Sequence, residues 1–571
     1  MINLTILKKI MIISIILLLI TSLYPIQASA DSYNDNAINL SDENSHEYTV
    51  DTNLYQIYTD TFSSMELLNN DPGFCVLVNS SIYPSIKTAL NQYCLDVNAS
   101  GYCAKVVTGS WSKIEDVRNV LKGEWQNNGT VGAILVGGFP IPWYIISGEI
   151  FPIDLYYMDL DGNWQDSNTD GVFDGHTGNM APDIFFGRLP SNIMTGDEAQ
   201  LLNNYFRKAH DYKTGKLKLP NNNLVYVDDD WIGSADGWKN DAKINYENVT
   251  LEKDGLTTNA KDYKKRLTQG YEFVEVHCHA NHKPTRHNFK VSGVFESETV
   301  NSTHIKTIDP LTFFSILFTC GSANYSAKDF LAGAYTFANT YGLASISSSK
   351  VGGMLDYNEF YTPLSNDKSI GEAFFDWFVL NSEQSRSWFY GMTLIGDPLL
   401  IPNMYDLELS DITVSNPYPH DDETIKIKTN ILNSFDNCSK VPVNLYDGDP
   451  QSSGSLIATK NINFGWNESA EVSFNWVAEE GDHDFWIVVD YENKITELNE
   501  NNNVGTKFLK VYPDLEVGLS SNKTKVSTYQ PIKFTASALG GCGDYKSYFF
   551  EFGDGTNSSW ISENYTTHSY P

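Results

Sequence analysis

A histidine and a cysteine each follow an apolar segment that has the pattern of a strand. His279 lies just beyond residues 273–276, and Cys320 lies just beyond residues 313–318. Catalytic groups gather at the carboxyl ends of strands in parallel sheets, so the two side chains could meet although they are distant in sequence. A cysteine attacks as a thiolate, and a nearby imidazolium lowers the pKa of the thiol. The pair therefore indicates nucleophilic catalysis, with Cys320 as the nucleophile and His279 as the acid and base.

Other interpretations of these residues stay open. A single cysteine at a strand end is more often a buried, small apolar residue. The spacing of His277, His279 and His282 also resembles the metal-binding His-x-His-x-Asp-His sequence of metallo-β-lactamase-type hydrolases, and imidazoles so spaced can chelate zinc. Asn281 stands where that sequence has its aspartate, and the neighbouring segments alternate between strand and helix patterns. Both features count against zinc.

A loop rich in carboxylates forms a second candidate site. Its oxygen ligands have calcium-loop spacing, with Gly171 at the sharp turn. The candidate ligands are Asp159, Asp161, Asp166, Asn168, Asp170 and Asp174. Thr177 stands where a bidentate glutamate would be, so a site needs a further ligand from nearby. Crowded carboxylates repel one another, which favours a structural calcium ion over a merely solvated loop.

The elements that must position these residues form two series. Apolar runs at 74–78, 104–107, 133–136 and 184–186 alternate with helical patterns at 84–97, 112–126 and 196–211. A second series has apolar runs at 224–227, 273–276, 313–318 and 344–347. This alternation predicts an α/β fold, a parallel sheet covered by helices. Beyond Pro402, short alternating strands without helices predict β-sandwiches.

The amino terminus and the charge restrict the class of protein. Lys8 and Lys9, an apolar run over 10–20 and the small residues 28–30 have the order of a cleaved signal peptide. A membrane-spanning helix requires about 20 apolar residues, and this run is shorter. The net charge is −32, which argues against nucleic acid as a partner. Seven cysteines are too sparse and irregular for a disulfide framework in a chain of 571 residues.

The segments around His279 and Cys320 resemble those of gingipain-like cysteine peptidases. Three further segments match the family in the same order: 133–138, 182–190 and 394–400. The resemblance implies a caspase-like three-layer α/β/α domain of two subdomains, and hydrolysis of peptide bonds through a thioester acyl-enzyme. It assigns the backbone N–H groups of Ala280 and Cys320 to the oxyanion, and Asp183 to the carboxylate that orients the histidine. Ala280 stands where the family usually has Gly or Ser, and an ordinary strand-edge aspartate explains Asp183 equally well.

The rest of the chain resembles adhesion modules. Residues 490–493 and 500–503 are similar to CARDB modules, and residues 550–555 and 568–570 are similar to PKD modules. We expect further strands of the PKD-type sandwich after Pro571. The predicted organisation is a signal peptide at 1–30, an extension or pro-segment at 31–70, peptidase subdomains at 71–215 and 216–403, a CARDB-type sandwich at 404–512 and a PKD-type sandwich at 513–571.

Taken together, these features predict a secreted or cell-surface cysteine endopeptidase that acts on proteins or peptides. It would use no organic cofactor and no nucleic acid, and its β modules could contact cell-surface proteins or carbohydrate. The alternative from another class is an adhesion protein whose peptidase-like domain is inactive. That alternative gives no reason for a histidine and a cysteine at two strand ends.

Overall fold

A computed structural model describes residues 71–571 and the backbone of 55–58, except for 281–282, 383–385, 405, 434–437, 466–467, 493, 496 and 498–501. The predicted signal peptide, nearly all of the predicted pro-segment, and His282 lie outside the described residues. No helix of the described part is both long enough and apolar enough to cross a membrane.

The described strands between residues 55 and 396 are β1 (Tyr55–Tyr58), β2 (Gly73–Asn79), β3 (Cys103–Gly109), β4 (Thr130–Val136), β5 (Trp143–Ile146), β6 (Glu149–Pro152), β7 (Asn163–Gln165), β8 (Gly175–Thr177), β9 (Phe185–Leu189), β10 (Asn222–Val227), β11 (Asn248–Glu252), β12 (Phe273–His277), β13 (Arg286–Val291), β14 (Val294–Asn301), β15 (Phe314–Phe318), β16 (Ala344–Ser348) and β17 (Met392–Gly396).

The described helices are α1 (Tyr83–Ala99), α2 (Ile114–Asn128), α3 (Leu155–Met158), α4 (Glu198–Lys213), α5 (Ala235–Ala242), α6 (Ala260–Arg266), α7 (Ser302–Ile308), α8 (Leu331–Thr336), α9 (Asn358–Leu364), α10 (Ile370–Asn381) and α11 (Arg386–Phe389), with 3-10 turns at Ser191–Ile193 and Asp229–Trp231. Local sequence sets several of their ends. The side chain of Asp197 caps α4 by accepting the amide of Gln200, and Ser369 and Glu372 form a capping box at α10.

The main sheet has the strand order β1-β3-β2-β4-β9-β17-β16-β15-β12-β10-β11. Strand β1 is antiparallel to β3, and β16 is antiparallel to β17, whereas the other neighbours are parallel. The two predicted series of strands and helices therefore form the two halves of one sheet. The strands of each series are parallel to one another, and the strands of one half run in the opposite direction to those of the other half. Strand β17, which belongs to the closing motif 394–400, joins them at the centre. The prediction of an α/β fold followed by all-β sandwiches is confirmed.

Strands β12 and β15 are buried at every position. Helices cover both faces of a parallel sheet of this kind, so its central strands are continuous apolar runs. Phe273, Val274, Phe314 and Ile316 are each at most 1% exposed and belong to one core that extends through both halves of the sheet. The ends of these strands are therefore held on a rigid base.

The remaining strands are β18 (Leu407–Leu409), β19 (Thr413–Val414), β20 (Thr424–Asn433), β21 (Cys438–Asp447), β22 (Ser455–Phe464), β23 (Ser469–Val477), β24 (Gly481–Val489), β25 (Val504–Val511), β26 (Glu516–Ser521), β27 (Ile532–Leu539), β28 (Tyr548–Glu551), β29 (Asn557–Ile561) and β30 (Tyr565–His568). Strands β18 to β25 form two antiparallel sheets that bury Ile427, Val443 and Phe474 between them. Strands β26 to β30 form two smaller sheets, and Val517 and Leu519 on β26 are 69% and 66% exposed.

Candidate active site

His279 and Cys320 leave neighbouring parallel strands at the same register. His277 on β12 stands opposite Phe318 on β15, and the amide of Cys278 donates to the carbonyl of Phe318 at 3.1 Å. His279 and Cys320 each lie two residues beyond that pair, so their backbones leave adjacent strands at the same level of the sheet. Paired strands lie about 4.8 Å apart, which is within reach of a thiol and an imidazole.

The imidazole of His279 is held from the side that faces β10. Its Nε2 atom lies 2.7 Å from a carboxylate oxygen of Asp230, in the 3-10 turn that follows β10. The ring centres of Trp231 and Phe295 lie 4.5 Å and 5.1 Å from that of His279. The histidine side chain is 27% exposed, so it is both held and accessible.

The same oxygen of Asp230 lies 2.5 Å from Nζ of Lys290. Hydrogen bonds from Lys290 and from His279 lower the pKa of Asp230. An ionised carboxylate can only accept hydrogen bonds, so Nε2 of His279 carries a proton. This assignment leaves Nδ1 as the nitrogen that is free to accept a proton.

Cys320 is partly exposed and lines a pocket of about 130 Å³ together with Pro284, Asn324, Glu149 and Lys350. Gly321 has a φ of +72°, and a Cβ placed there would meet no atom within 4 Å. The left-handed backbone, rather than lack of space, is what requires glycine at this position. The amide of Gly321 donates to the carbonyl of Lys350 at 2.8 Å, which ties Cys320 to the segment after β16.

A charged pair forms the far wall of this pocket. Nζ of Lys350 lies 3.4 Å from the carboxylate of Glu149, and the lysine side chain is only 3% exposed. Lys350 also donates to the carbonyl of Ser387 at 2.9 Å, and Glu149 accepts the amide of Val351 at 2.9 Å. The wall is thus fixed by hydrogen bonds on both sides.

The residues next to His279 point into different surroundings. His277 is fully buried with its ring stacked 3.8 Å from Trp238, and burial lowers its pKa. Cys278 lies on the opposite face, where its Sγ is 3.3 Å from both His287 and Thr319. Burial raises the pKa of the Cys278 thiol well above its usual value. Cys278 is therefore a neutral, buried thiol, whereas Cys320 opens to a pocket.

His287 contacts the residues that follow β12 and β15. Its Nδ1 contacts Cys278 at 3.3 Å and Thr319 at 3.0 Å, and its Nε2 lies 3.1 Å from the hydroxyl of Tyr335. Burial lowers the pKa of His287 to about 3. This neutral imidazole bridges the residues that precede His279 and Cys320.

The structure corrects the assignment of Asp183. Its carboxylate accepts the amides of Leu160 and Asp161 at 2.7 Å and 3.1 Å, just ahead of β9. Strand β9 is four strand positions from β12 in the sheet, a distance of ~19 Å. Asp183 therefore cannot orient His279, and Asp230 is the carboxylate in contact with it.

The sequence interpretation missed Asp230. The signal was present, because residues 228–230 are three consecutive aspartates directly after the apolar run 224–227. The strand-end rule that identified His279 and Cys320 applies to them equally. Lys290, on a hairpin, had no comparable signal.

The candidate calcium ligands fall into two groups. Oxygens of Asp159, Asp161 and Asp183 lie within 4.8 Å of one another. Asp159 also contacts Nε2 of His176 at 2.5 Å. Asp166, Asn168, Asp170 and Asp174 belong to a separate turn, in which they accept backbone amides such as that of Gly171, 2.8 Å from Asp166. No other group of three metal-binding side chains occurs within the described residues, and the described histidines 277 and 279 form none.

Two family models match consecutive parts of the chain. The model of peptidase family C25 matches residues 96–403, and the CARDB model matches residues 404–507. A comparison with curated proteins gives no match. Among solved structures, the CARDB domain of a Pyrococcus furiosus protein is 25% identical, with 19% of this chain and 95% of that chain covered and a TM-score of 0.17. A domain of a putative cell surface protein from Methanosarcina acetivorans is 19% identical, with 19% and 92% covered and a TM-score of 0.16.

Proposed function

Since the chain belongs to peptidase family C25, the gingipain family of cysteine peptidases, we propose that it is a secreted endopeptidase in which Cys320 attacks and His279 is the acid and base. The observation that supports this most is the matched register of His279 and Cys320 on adjacent strands, with Asp230 behind the histidine. A nucleophile, a base and a group that orients the base form the arrangement that covalent catalysis requires.

In the proposed reaction, Nδ1 of His279 takes the thiol proton and the Cys320 sulfur attacks the carbonyl carbon of the substrate. The imidazolium that forms is stabilised by Asp230, 2.7 Å away. His279 then gives the proton to the leaving amine, and a thioester to Cys320 remains. Water, deprotonated by His279, hydrolyses the thioester and restores the thiol.

The negative oxygen of the tetrahedral intermediates needs N–H donors. We assign this role to the backbone amides of Cys320 and Ala280, as the family resemblance implies. The amide of Gly321 already donates to the carbonyl of Lys350, so it is not free to donate to the negative oxygen.

We further propose that the protein works outside the cell or on its surface. The support comes from the signal-peptide pattern of residues 1–30 and from the CARDB match at 404–507. The CARDB and PKD-type modules would contact cell-surface protein or carbohydrate. Amino-terminal sequencing of protein from the culture medium should begin near Asp31, and recovery only from the cytoplasm would contradict secretion.

An irreversible, thiol-directed peptidyl inhibitor tests the catalytic assignment. Mass spectrometry should locate one equivalent of label on Cys320, and casein cleavage should stop in proportion to labelling. Cys320→Ala should neither react nor cleave, whereas the control Cys278→Ser should do both. Absence of label on Cys320 together with no cleavage would favour an adhesion protein with an inactive domain. Cleavage that survives in Cys320→Ala and stops on zinc chelation would favour the metallohydrolase.

A further inference from the structure

Four exposed apolar side chains lie on segments that pack next to the strand end that carries His279. They are Ile232, Leu256, Val294 and Phe295, which are 36%, 69%, 69% and 45% exposed, and we call them the apolar rim. Single exposed apolar residues are ordinary on protein surfaces. Two of these four are placed beside His279: the ring of Phe295 is edge-on to its imidazole at 5.1 Å, and Ile232 directly follows Trp231, whose ring centre lies 4.5 Å from that of the imidazole.

The segments that carry the apolar rim are bonded to one another. The amide of Ser292 donates to the carbonyl of Gly255 at 3.2 Å, which joins the β13–β14 hairpin to the loop that carries Leu256. A Cβ placed at Gly255 would lie 3.3 Å from the side chain of Ile232, so that loop lies against the turn after β10. The apolar rim is therefore carried by three segments that pack against one another.

The β13–β14 hairpin is also bonded to the aspartates after β10. The amide of Gly293 donates to the carboxylate of Asp229 at 2.6 Å, and the amide of Lys290 donates to Asp228 at 3.0 Å. Nζ of Lys290 lies 4.9 Å from the ring centre of Phe295 while it contacts Asp230. Charged and backbone hydrogen bonds thus hold Phe295 in position beside His279.

The order of strands shows which part of a substrate would meet the apolar rim. Lys350 follows β16, Cys320 follows β15, His279 follows β12 and Asp230 follows β10, and these strands are adjacent in that order. Cys320 attacks the carbonyl carbon and His279 protonates the amine nitrogen, so the cleaved bond runs from β15 towards β12. The acyl part then lies over the pocket of Glu149 and Lys350, and the amine part lies over the apolar rim.

We propose, on the basis of the function proposed above, that the apolar rim binds a large aliphatic or aromatic side chain in the first two positions after the cleaved bond. The exposed face of Phe295 would lose water to such a side chain on binding. The preference over alanine at the same position should be roughly 10-fold in kcat/KM, as expected for a few methylenes in an apolar site.

The test starts from casein, whose cleavage sites are mapped by mass spectrometry with the intact protein. One cleaved sequence is then made as a set of peptides that carry Leu, Phe, Ala or Asp in the first or second position after the cut. The intact chain should cleave the Leu and Phe peptides roughly 10-fold faster than the Ala peptide, and the Asp peptide more slowly still. Phe295→Ala should remove most of this difference, and Phe295→Leu should retain it.

The matched control is Leu380→Ala, which removes an apolar side chain that is 56% exposed on α10. It should leave the preference unchanged. Two results would overturn the proposed binding role of the apolar rim: equal cleavage of all peptides by the intact chain, or a preference that persists in both Phe295→Ala and Val294→Ala. Labelling of Cys320 in the same experiments would still support the peptidase. Absence of both cleavage and labelling would overturn both proposals.

Discussion

Oδ2 of Asp230 lies 2.7 Å from Nε2 of His279, and the same oxygen lies 2.5 Å from Nζ of Lys290. Lysine and histidine therefore share one carboxylate oxygen. The lysine keeps Asp230 ionised, and the ionised oxygen fixes the proton on Nε2. In the proposed reaction Asp230 is a positioning residue, because it would act on the substrate only through His279.

Asp230→Asn should lower kcat by roughly 10- to 100-fold. A positioned general acid or base typically increases the rate by 10²- to 10⁴-fold, and loss of Asp230 should remove only part of that increase. KM should change little, since the side-chain partners of Asp230 are His279 and Lys290 and its proposed effect is on the proton transfer. The pH profile of kcat/KM should also shift, because the imidazolium loses its carboxylate. Steady-state kinetics from pH 5 to 9 provide the measurement.

Asp236→Asn is the control for this substitution. Asp236 is an exposed aspartate on α5 that also pairs with a lysine, since its carboxylate lies 2.6 Å from Nζ of Lys253. It should leave kcat and the pH profile unchanged. If Asp230→Asn and Asp236→Asn behave alike, Asp230 has no part in catalysis.

The two faces of β12 give a second prediction. His279→Ala should reduce kcat/KM by several orders of magnitude, since thiolate formation and leaving-group protonation both depend on its imidazole. His277→Ala should cost far less activity. It should instead lower the melting temperature, because it leaves a cavity against Trp238 worth about 2 kcal/mol or more. Cys278→Ser should cost little activity. Equal loss of activity in His277→Ala and His279→Ala would contradict this distinction.

The sequence predicted the strands of the site well, for a physical reason. Both faces of β12 and β15 are buried, so their apolar runs were unmistakable and placed His279 and Cys320 at strand ends. It could not predict the order of strands, because β17 comes last in this domain and is inserted at the centre of the sheet. That insertion reverses the direction of one half of the sheet. The error with Asp183 follows from this, since its motif carries no information on how many strands separate it from His279.

Calcium provides a third prediction, and the structure divides it into two alternatives. Millimolar calcium should raise the melting temperature, because a ligand that binds only the folded state stabilises it. If Asp161 and Asp183 are ligands, Asp161→Asn and Asp183→Asn should abolish the increase, and Asp166→Asn and Asp170→Asn should not. If the turn of Asp166 and Asp170 binds the ion, the result reverses. An unchanged melting temperature relative to a chelated sample would exclude both alternatives.

The last prediction concerns Asp228, which is fully buried beneath the turn that carries Asp230. Its carboxylate accepts the amides of Lys290 and Asp229, yet burial raises its pKa to about 7. In the unfolded chain the pKa of an aspartate is about 3.9. The folded protein therefore retains a proton that the unfolded chain releases, and the stability associated with it is lost as the pH rises from about 4 to about 7.

Asp228→Asn removes this titration but keeps an oxygen that can accept the two amides. The variant and the parent should have similar melting temperatures at pH 4. At pH 8 the variant should be more stable by up to about 4 kcal/mol, at 1.36 kcal/mol per unit of pKa. Thermal unfolding at pH 4, 5.5, 7 and 8 measures the difference, and Asp236→Asn, on an exposed side chain, should show none. Parallel curves for Asp228→Asn and the parent would mean that Asp228 is already ionised at pH 4, with its backbone hydrogen bonds outweighing the cost of burial.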